Sequence, residues 1–160
     1  MNIAVICGGL SSERDVSITS GTNAARALRE QGHKVVLVDL FYGYDGEYND
    51  PKELFEREQQ DVQYSVKEET PDFDKLLAEG KGSRIGGNVI EICRAADICF
   101  LALHGQDGED GKIQATLDMH GVKYTGSGYL GSAIAMNKEL SKIMFRANGI
   151  PTPALSLIHI

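Results

Sequence analysis

The residues able to do chemistry gather in three places along this chain. Gly8-Gly9 closes the apolar run Ile3–Cys7 and leads into Ser11-Ser12-Glu13-Arg14-Asp15, a loop carrying both signs of charge. His104 closes the run Ile98–Leu103 and opens Gly105-Gln106-Asp107-Gly108-Glu109-Asp110-Gly111. Lys138 follows Asn137 near the other end, with Lys142 one helical turn on. Loops at the carboxyl ends of strands are where open α/β sheets hold ligands, so Glu13 is a candidate ligand contact. On position alone it reads equally as an ordinary exposed loop acid. His104 by itself reads as a structural histidine or as a ligand contact. A lysine on the first turn of a helix opposes the helix dipole by roughly 0.3–1 kcal/mol, a sign that a nearby anion would reverse. Without such an anion Lys138 is a tolerated surface lysine.

Other chemistries fail on spacing. Gly8-Gly9 lacks the GxGxxG pattern of a dinucleotide site, and Asp39 at the end of the second strand is only a faint echo of a ribose-binding acid. The acids of Asp107–Asp110 miss the register of a calcium-binding loop. Cys7, Cys93 and Cys99 form no CxxC pair and no metal-ligand spacing, and two of them sit inside apolar runs. No metal ligands are expected within this chain.

The elements that must position these residues follow from periodicity. Ile3–Cys7 reads as a buried strand, with a helix from about Ser17 to Gln31 that has a serine cap and stops at Gly32. Val35–Val38 is a second strand, and strand, glycine turn, helix, strand begins a parallel α/β sheet. A helix from Asn88, a buried strand over Ile98–Leu103, a helix over Ile113–His120 and a short strand at Val122–Thr125 follow. A short apolar helix lies around Ile134. A last helix starts near Asn137 and ends at Gly149 and Pro151. Between Tyr42 and Gly87 the pattern loosens. Tyr44–Tyr48 reads there as a hairpin turn and Val62–Val66 as an exposed edge strand, elaborations on the sheet rather than a domain. The expected fold is an open, mainly parallel α/β sheet with helices on both faces.

Composition bounds the partners. The chain has 160 residues, 42% of them apolar and 24% charged, which suits one soluble globular domain. The net charge is −7, and Asp45–Glu79 alone, with twelve acids and four bases, carries −8. That segment reads as a solvated face, and no basic stripe exists for a nucleic-acid backbone. The longest apolar run, Ile98–Leu103, is six residues, far short of a membrane span. No basic segment precedes the first apolar run, so a cytoplasmic protein without a signal peptide is expected. Seven of the 18 glycines fall between Gly105 and Gly131, marking backbone that turns tightly or approaches a ligand.

Assembled in order, these motifs resemble a known family. Gly8-Gly9-Leu10-Ser11-Ser12-Glu13-Arg14-Asp15-Val16-Ser17 resembles the N-terminal signature of D-alanine–D-alanine ligases. Leu103-His104-Gly105 with Gly108-Glu109-Asp110-Gly111-Lys112-Ile113-Gln114 resembles their second motif. Tyr124-Thr125-Gly126-Ser127-Gly128, Ser132-Ala133 and Met136-Asn137-Lys138 resemble the third. The resemblance implies a Rossmann-like domain preceding an ATP-grasp module, in an enzyme that joins two D-alanines through an acyl phosphate. It uses ATP, and Mg2+ offsets the phosphate charge. Glu13 would hold the ammonium of the first D-alanine, with Val16 and Ser17 completing the substrate-binding set. His104 would lie beside the reacting carboxyl, and Lys138 would contact nucleotide phosphates. Glu109 and Ser132 look like supports. Asn137 departs from the family's usual aspartate, with little consequence expected because asparagine also caps helices.

The same resemblance implies an organisation. Residues 1–136 would be the substrate-contacting domain, with a variable insertion at about 42–87. Residues 137–154 would begin the connection to the ATP-grasp module, whose magnesium acids and remaining contacts lie outside this chain. Leu155–Ile160 is similar to the translation of a sequencing adapter, so native sequence is expected to end near Ala154. The fragment alone is expected to be inactive, and the full enzyme a homodimer. Close alternatives are ligases joining D-alanine to D-lactate or D-serine, and a non-catalytic binding module of the same fold.

Overall fold

The structure is a computed structural model that describes residues 1–57, 72–79 and 83–153. Its sheet has three strands in the order β2-β1-β3: β1 (Asn2–Cys7), β2 (Lys34–Asp39) and β3 (Ile98–Leu101). Both pairings are parallel, with Ile3 opposite Val35 on one side and Ile98 on the other. β1 is central, and Ile3–Cys7 are all buried, as its continuous apolar run requires. Each such large side chain contributes about 1.5–3 kcal/mol by leaving water.

Helices cover both faces. On one, α1 (Arg14–Glu30) lays Ile18, Ala25 and Leu28 against Ile3, Val5, Val35 and Phe100. On the other, α3 (Val89–Ala95), α4 (Lys112–Met119) and a 3-10 turn at Pro51–Phe55 bring Val89, Ile92, Leu117, Leu54 and Phe55 onto Ala4, Ile6, Val36 and Val38. Two elements complete the order after α4: α5 (Tyr129–Met136) and α6 (Lys138–Ala147). α2 (Phe73–Glu79) lies within the loosely patterned segment.

Four expectations change. α1 begins at Arg14, three residues before the expected start, and Ser17 is not its cap. The turn begins earlier because Ser11 accepts from both Glu13 and Arg14: the hydroxyl takes Glu13 N–H at 3.1 Å and the carbonyl takes Arg14 N–H at 3.0 Å. Val122–Thr125 forms a single parallel bridge, Tyr124 to Cys99, rather than a strand, because only Cys99 N–H and Thr125 N–H complete the ladder. β3 ends at Leu101, short of Leu103. Tyr44–Tyr48 is no hairpin: Asn88 bonds both Tyr44 N–H and Tyr44 C=O, taking the groups a partner strand would use, and the two tyrosine rings meet edge to face. Val62–Val66 and Leu155–Ile160 lie outside the described residues.

The end of the chain is less enclosed. α6 packs on α5, and neither has a buried residue. Leu130, Ile143 and Met144 are about half exposed, at 59%, 51% and 49%. Several large apolar side chains of these two helices are thus left open to solvent.

Candidate functional site

Two loops meet at the carboxyl end of the parallel sheet: residues 8–13 after β1, and residues 104–111 after β3. The first is anchored from below. Gly8 adopts a φ of +71°, and a β-carbon there would stand 2.1 Å from Asp39 Oδ2, so no other residue fits without displacing Asp39. Asp39 is held in turn by Arg14, whose Nη2 lies 2.5 Å from Oδ2 and whose Nη1 also donates to Gly9 C=O at 2.8 Å. The carboxylate also accepts from the backbone N–H of Phe41 and Tyr42, and the Tyr42 ring covers the guanidinium at 5.1 Å. Asp39 is therefore committed to the loop's foundation, and no ribose contact is left for it.

Ser17 makes the second anchor. It is fully buried on the inner face of α1, donating to Ala102 C=O and accepting from Gly8 N–H, both at 2.8 Å. One hydroxyl thus ties the ends of β1 and β3 together. Val16, about 100° round the helix from Ser17, is 47% exposed. Ser17, Gly21 and Ala25, at i, i+4 and i+8, form the buried stripe of α1, and Glu13, Val16 and Ser20, at i, i+3 and i+7, run along its more open edge.

That open edge meets the second loop. A β-carbon on Gly105, where φ is +69°, would stand 2.6 Å from Ser11 Oγ and 3.7 Å from Glu13 Oε2. Glycine is what permits this approach. His104 is half-buried, and its Nε2 lies 3.2 Å from Ser20 Oγ. Glu13 is exposed. An open carboxylate and an oriented imidazole therefore share one end of the sheet, separated by a glycine. By its chemistry a carboxylate is able to pair with an ammonium group, and an imidazole is able to exchange hydrogen bonds with a carboxyl group.

The supports behave as their types suggest. Glu109 N–H closes the second loop on Gly105 C=O at 3.0 Å, and Gln114 Nε2 holds Gly108 C=O at 2.7 Å. Lys112 bonds Asp110, and although burial pushes that carboxyl up, the lysine and backbone bonds outweigh it and leave the pKa lowered. Ser132 lies in α5. Sequence reasoning missed Ser20 and Arg84 because their partners are 84 and 23 positions away.

Lys138 stands on another element. It is the first residue of α6 and exposed, and Asn137 caps that helix by accepting from Leu140 N–H at 3.0 Å, as the asparagine-for-aspartate exchange predicts. Lys138 and Lys142 flank an open apolar cavity of about 480 Å³ lined by Ile134, Met144 and Phe145. Among the described residues no group of three or more His, Cys, Asp or Glu is placed to hold a metal ion. No helix among them is long and apolar enough to cross a membrane.

A parallel three-stranded sheet covered by helices on both faces is an open α/β fold, and the two loops lie at the strand ends where such folds bind ligands. Comparison with known proteins gives the family. The model of the D-ala D-ala ligase N-terminus matches residues 2–127, and the chain belongs to that family. The D-alanine–D-alanine ligase of Lacticaseibacillus casei is 46% identical over 155 residues, covering 95% of this chain and 43% of that protein. The Pediococcus pentosaceus enzyme is 42% identical over 163 residues, covering 99% and 46%. Among solved structures, the Bacillus anthracis ligase complexed with ATP superposes with a TM-score of 0.63 at 31% identity, covering 96% of this chain and 37% of that one. The chain thus spans less than half the length of these relatives.

Proposed function

We propose that this chain forms the substrate-contacting N-terminal part of an ATP-dependent D-alanine–D-alanine ligase. Residues 1–136 make the domain that receives the first D-alanine, and 137–154 lead into a nucleotide-binding module supplied by further sequence. Glu13 pairs with the ammonium group, a charge-assisted contact of about 1.5–3 kcal/mol. Val16 flanks it on the same helical face. His104, held by Ser20, lies beside the carboxyl group, and Ser17 serves the site by fixing both loops from beneath.

A free carboxylate is a poor electrophile, so the carboxylate oxygen takes the γ-phosphoryl group of ATP, releasing ADP. The amine of the second D-alanine then attacks the carbonyl carbon, phosphate leaves, and the dipeptide bond forms. Lys138 approaches the nucleotide phosphates, where an anion reverses its unfavourable interaction with the α6 dipole. Mg2+, when bound elsewhere in the enzyme, neutralises phosphate charge. The product serves cell-wall peptidoglycan synthesis in the cytoplasm, and the enzyme works as a homodimer. The open apolar side chains of α5 and α6 are covered by the remainder of the ligase.

The observation that carries this reading is the close approach of the Glu13 carboxylate to Gly105, the residue that follows His104. Its test is a full-length ligase made by joining residues 1–153 to the remaining sequence of the Lacticaseibacillus casei relative. D-alanine-dependent phosphate release with dipeptide formation is expected; a folded protein that binds no D-alanine contradicts the reading and favours a non-catalytic module. Offering D-lactate and D-serine as acceptors in the same assay assigns the second substrate.

A further inference from the structure

Arg84 stands outside every motif discussed so far, in the segment that sequence patterning makes an elaboration of the sheet. Its guanidinium nevertheless reaches both loops of the site. Nε and Nη2 each lie 2.5 Å from Asp107 Oδ2, in the loop that His104 opens. Nη2 also donates to Leu10 C=O at 3.2 Å, in the loop that ends at Glu13.

Asp107 is unusual in two ways that make this contact informative. It is 5% exposed, and its φ of +69° makes it the one non-glycine residue in the left-handed region among those described. Side chains adopt that conformation only where the surroundings compel it, and such strain gathers at functional sites. Here Arg84 and Lys112 bond the carboxylate from two sides, while Asp107 C=O accepts from Ile113 N–H at the start of α4. The loop conformation that turns Gly105 towards Ser11 and Glu13 is therefore held partly by a side chain from outside it.

We propose that Arg84 is a positioning residue that clamps the Glu13 loop to the His104 loop and so sets the affinity for the first substrate amino acid. The inference rests on the site reading given above. Arg84 itself touches no substrate; its effect passes through Leu10 and Asp107.

The test combines backbone exchange with kinetics. In the 160-residue chain, Arg84→Ala is expected to speed amide hydrogen exchange at Arg14 and Glu109, whose N–H groups close the two loops, while Leu40 and Cys99 in the sheet region keep wild-type rates. In the joined full-length ligase, the KM for the first D-alanine should rise about tenfold with the KM for ATP unchanged, because misplacing a binding group weakens that substrate alone. Arg84→Lys, which keeps a cation near Asp107 without the fork, should recover part of the loss. The double variant Arg84→Ala/Asp107→Asn removes the charge of a buried carboxylate left with only the long Lys112 contact, so it should regain stability without regaining affinity. If Arg84→Ala loses stability alone and keeps its first-site KM while Glu13→Gln raises that constant, the clamp is overturned and the site reading stands. If Glu13→Gln also leaves it unchanged, the site reading fails, and unaltered exchange in both loops then overturns the clamp by itself.

Discussion

Ser20 Oγ stands 3.2 Å from His104 Nε2, joining a residue of α1 to the end of β3 across 84 positions of sequence. The contact fixes which edge of the imidazole faces the helix and leaves Nδ1 to face the other way. Ser20→Ala removes one hydrogen bond of about 1 kcal/mol, so kcat/KM for D-alanine should fall about fivefold in the full-length ligase. The ring nitrogen chemical shift of His104 Nε2 should change as its hydrogen-bond partner is lost. Shifts and kinetics identical to wild type would mean that Ser20 does not orient the ring.

Ser17 makes the opposite prediction. Its hydroxyl is buried and fully used between Gly8 and Ala102, so Ser17→Ala orphans a buried N–H and loses a bond to a carbonyl. A loss of about 2 kcal/mol in denaturant unfolding is expected, with D-alanine affinity weakened only as the loops loosen. A fully stable variant with abolished binding would instead put Ser17 in direct contact with substrate.

The three buried cysteines report on whether the chain folds as described. Burial, with the Asp39 charge adding to it, pushes the Cys7 thiol up to about 12, and a bond with Cys93 together with burial raises Cys99. Thiolate is the reactive form, so at about pH 8 a thiol reagent should label the native chain only through unfolding, and addition of denaturant should release the groups together. Rapid native labelling of Cys7 would show that β1 is not enclosed.

Lys138 separates a helix-dipole effect from a ligand effect. Lys138→Gln relieves an unfavourable interaction at the start of α6, so the thermal midpoint should stay level or rise by the equivalent of a few tenths of a kcal/mol. If the lysine contacts phosphate, losing a charge-assisted bond of roughly 1.5–3 kcal/mol should weaken ATP binding about tenfold or more. A melt and an ATP titration on the full-length variant decide this. Unchanged ATP affinity would return Lys138 to the surface.

Much of this architecture was legible because local physics wrote it. Ile3–Cys7 is apolar without alternation and is buried throughout, as a strand covered on both faces requires, whereas in Ile98–Leu101 only Cys99 is fully buried; Asn137 caps α6 through its own side chain. Glu13 and His104 were legible as loop residues beyond strand ends. What joins them was not. Arg84, Ser20 and Asp39 act through partners far away in sequence, and no periodicity encodes a pairing between loops. The start of α1 was misplaced for a related reason. Ser17 has the chemistry of a cap, yet Gly8 and Ala102 claim its hydroxyl, and the backbone turn at Ser11 starts the helix without it. Tyr44–Tyr48 has hairpin chemistry but meets Asn88 in place of a second strand.

The most direct test of the central claim is a D-alanine titration of the Glu13→Gln ligase. The substitution keeps the size of the side chain and removes the charge proposed to pair with the ammonium group, and the exposed position of Glu13 predicts little change in stability. The KM for the first D-alanine should rise about tenfold or more, with the second-site constant and the KM for ATP near wild type. Wild-type constants for both D-alanine sites in a normally stable variant would contradict the account.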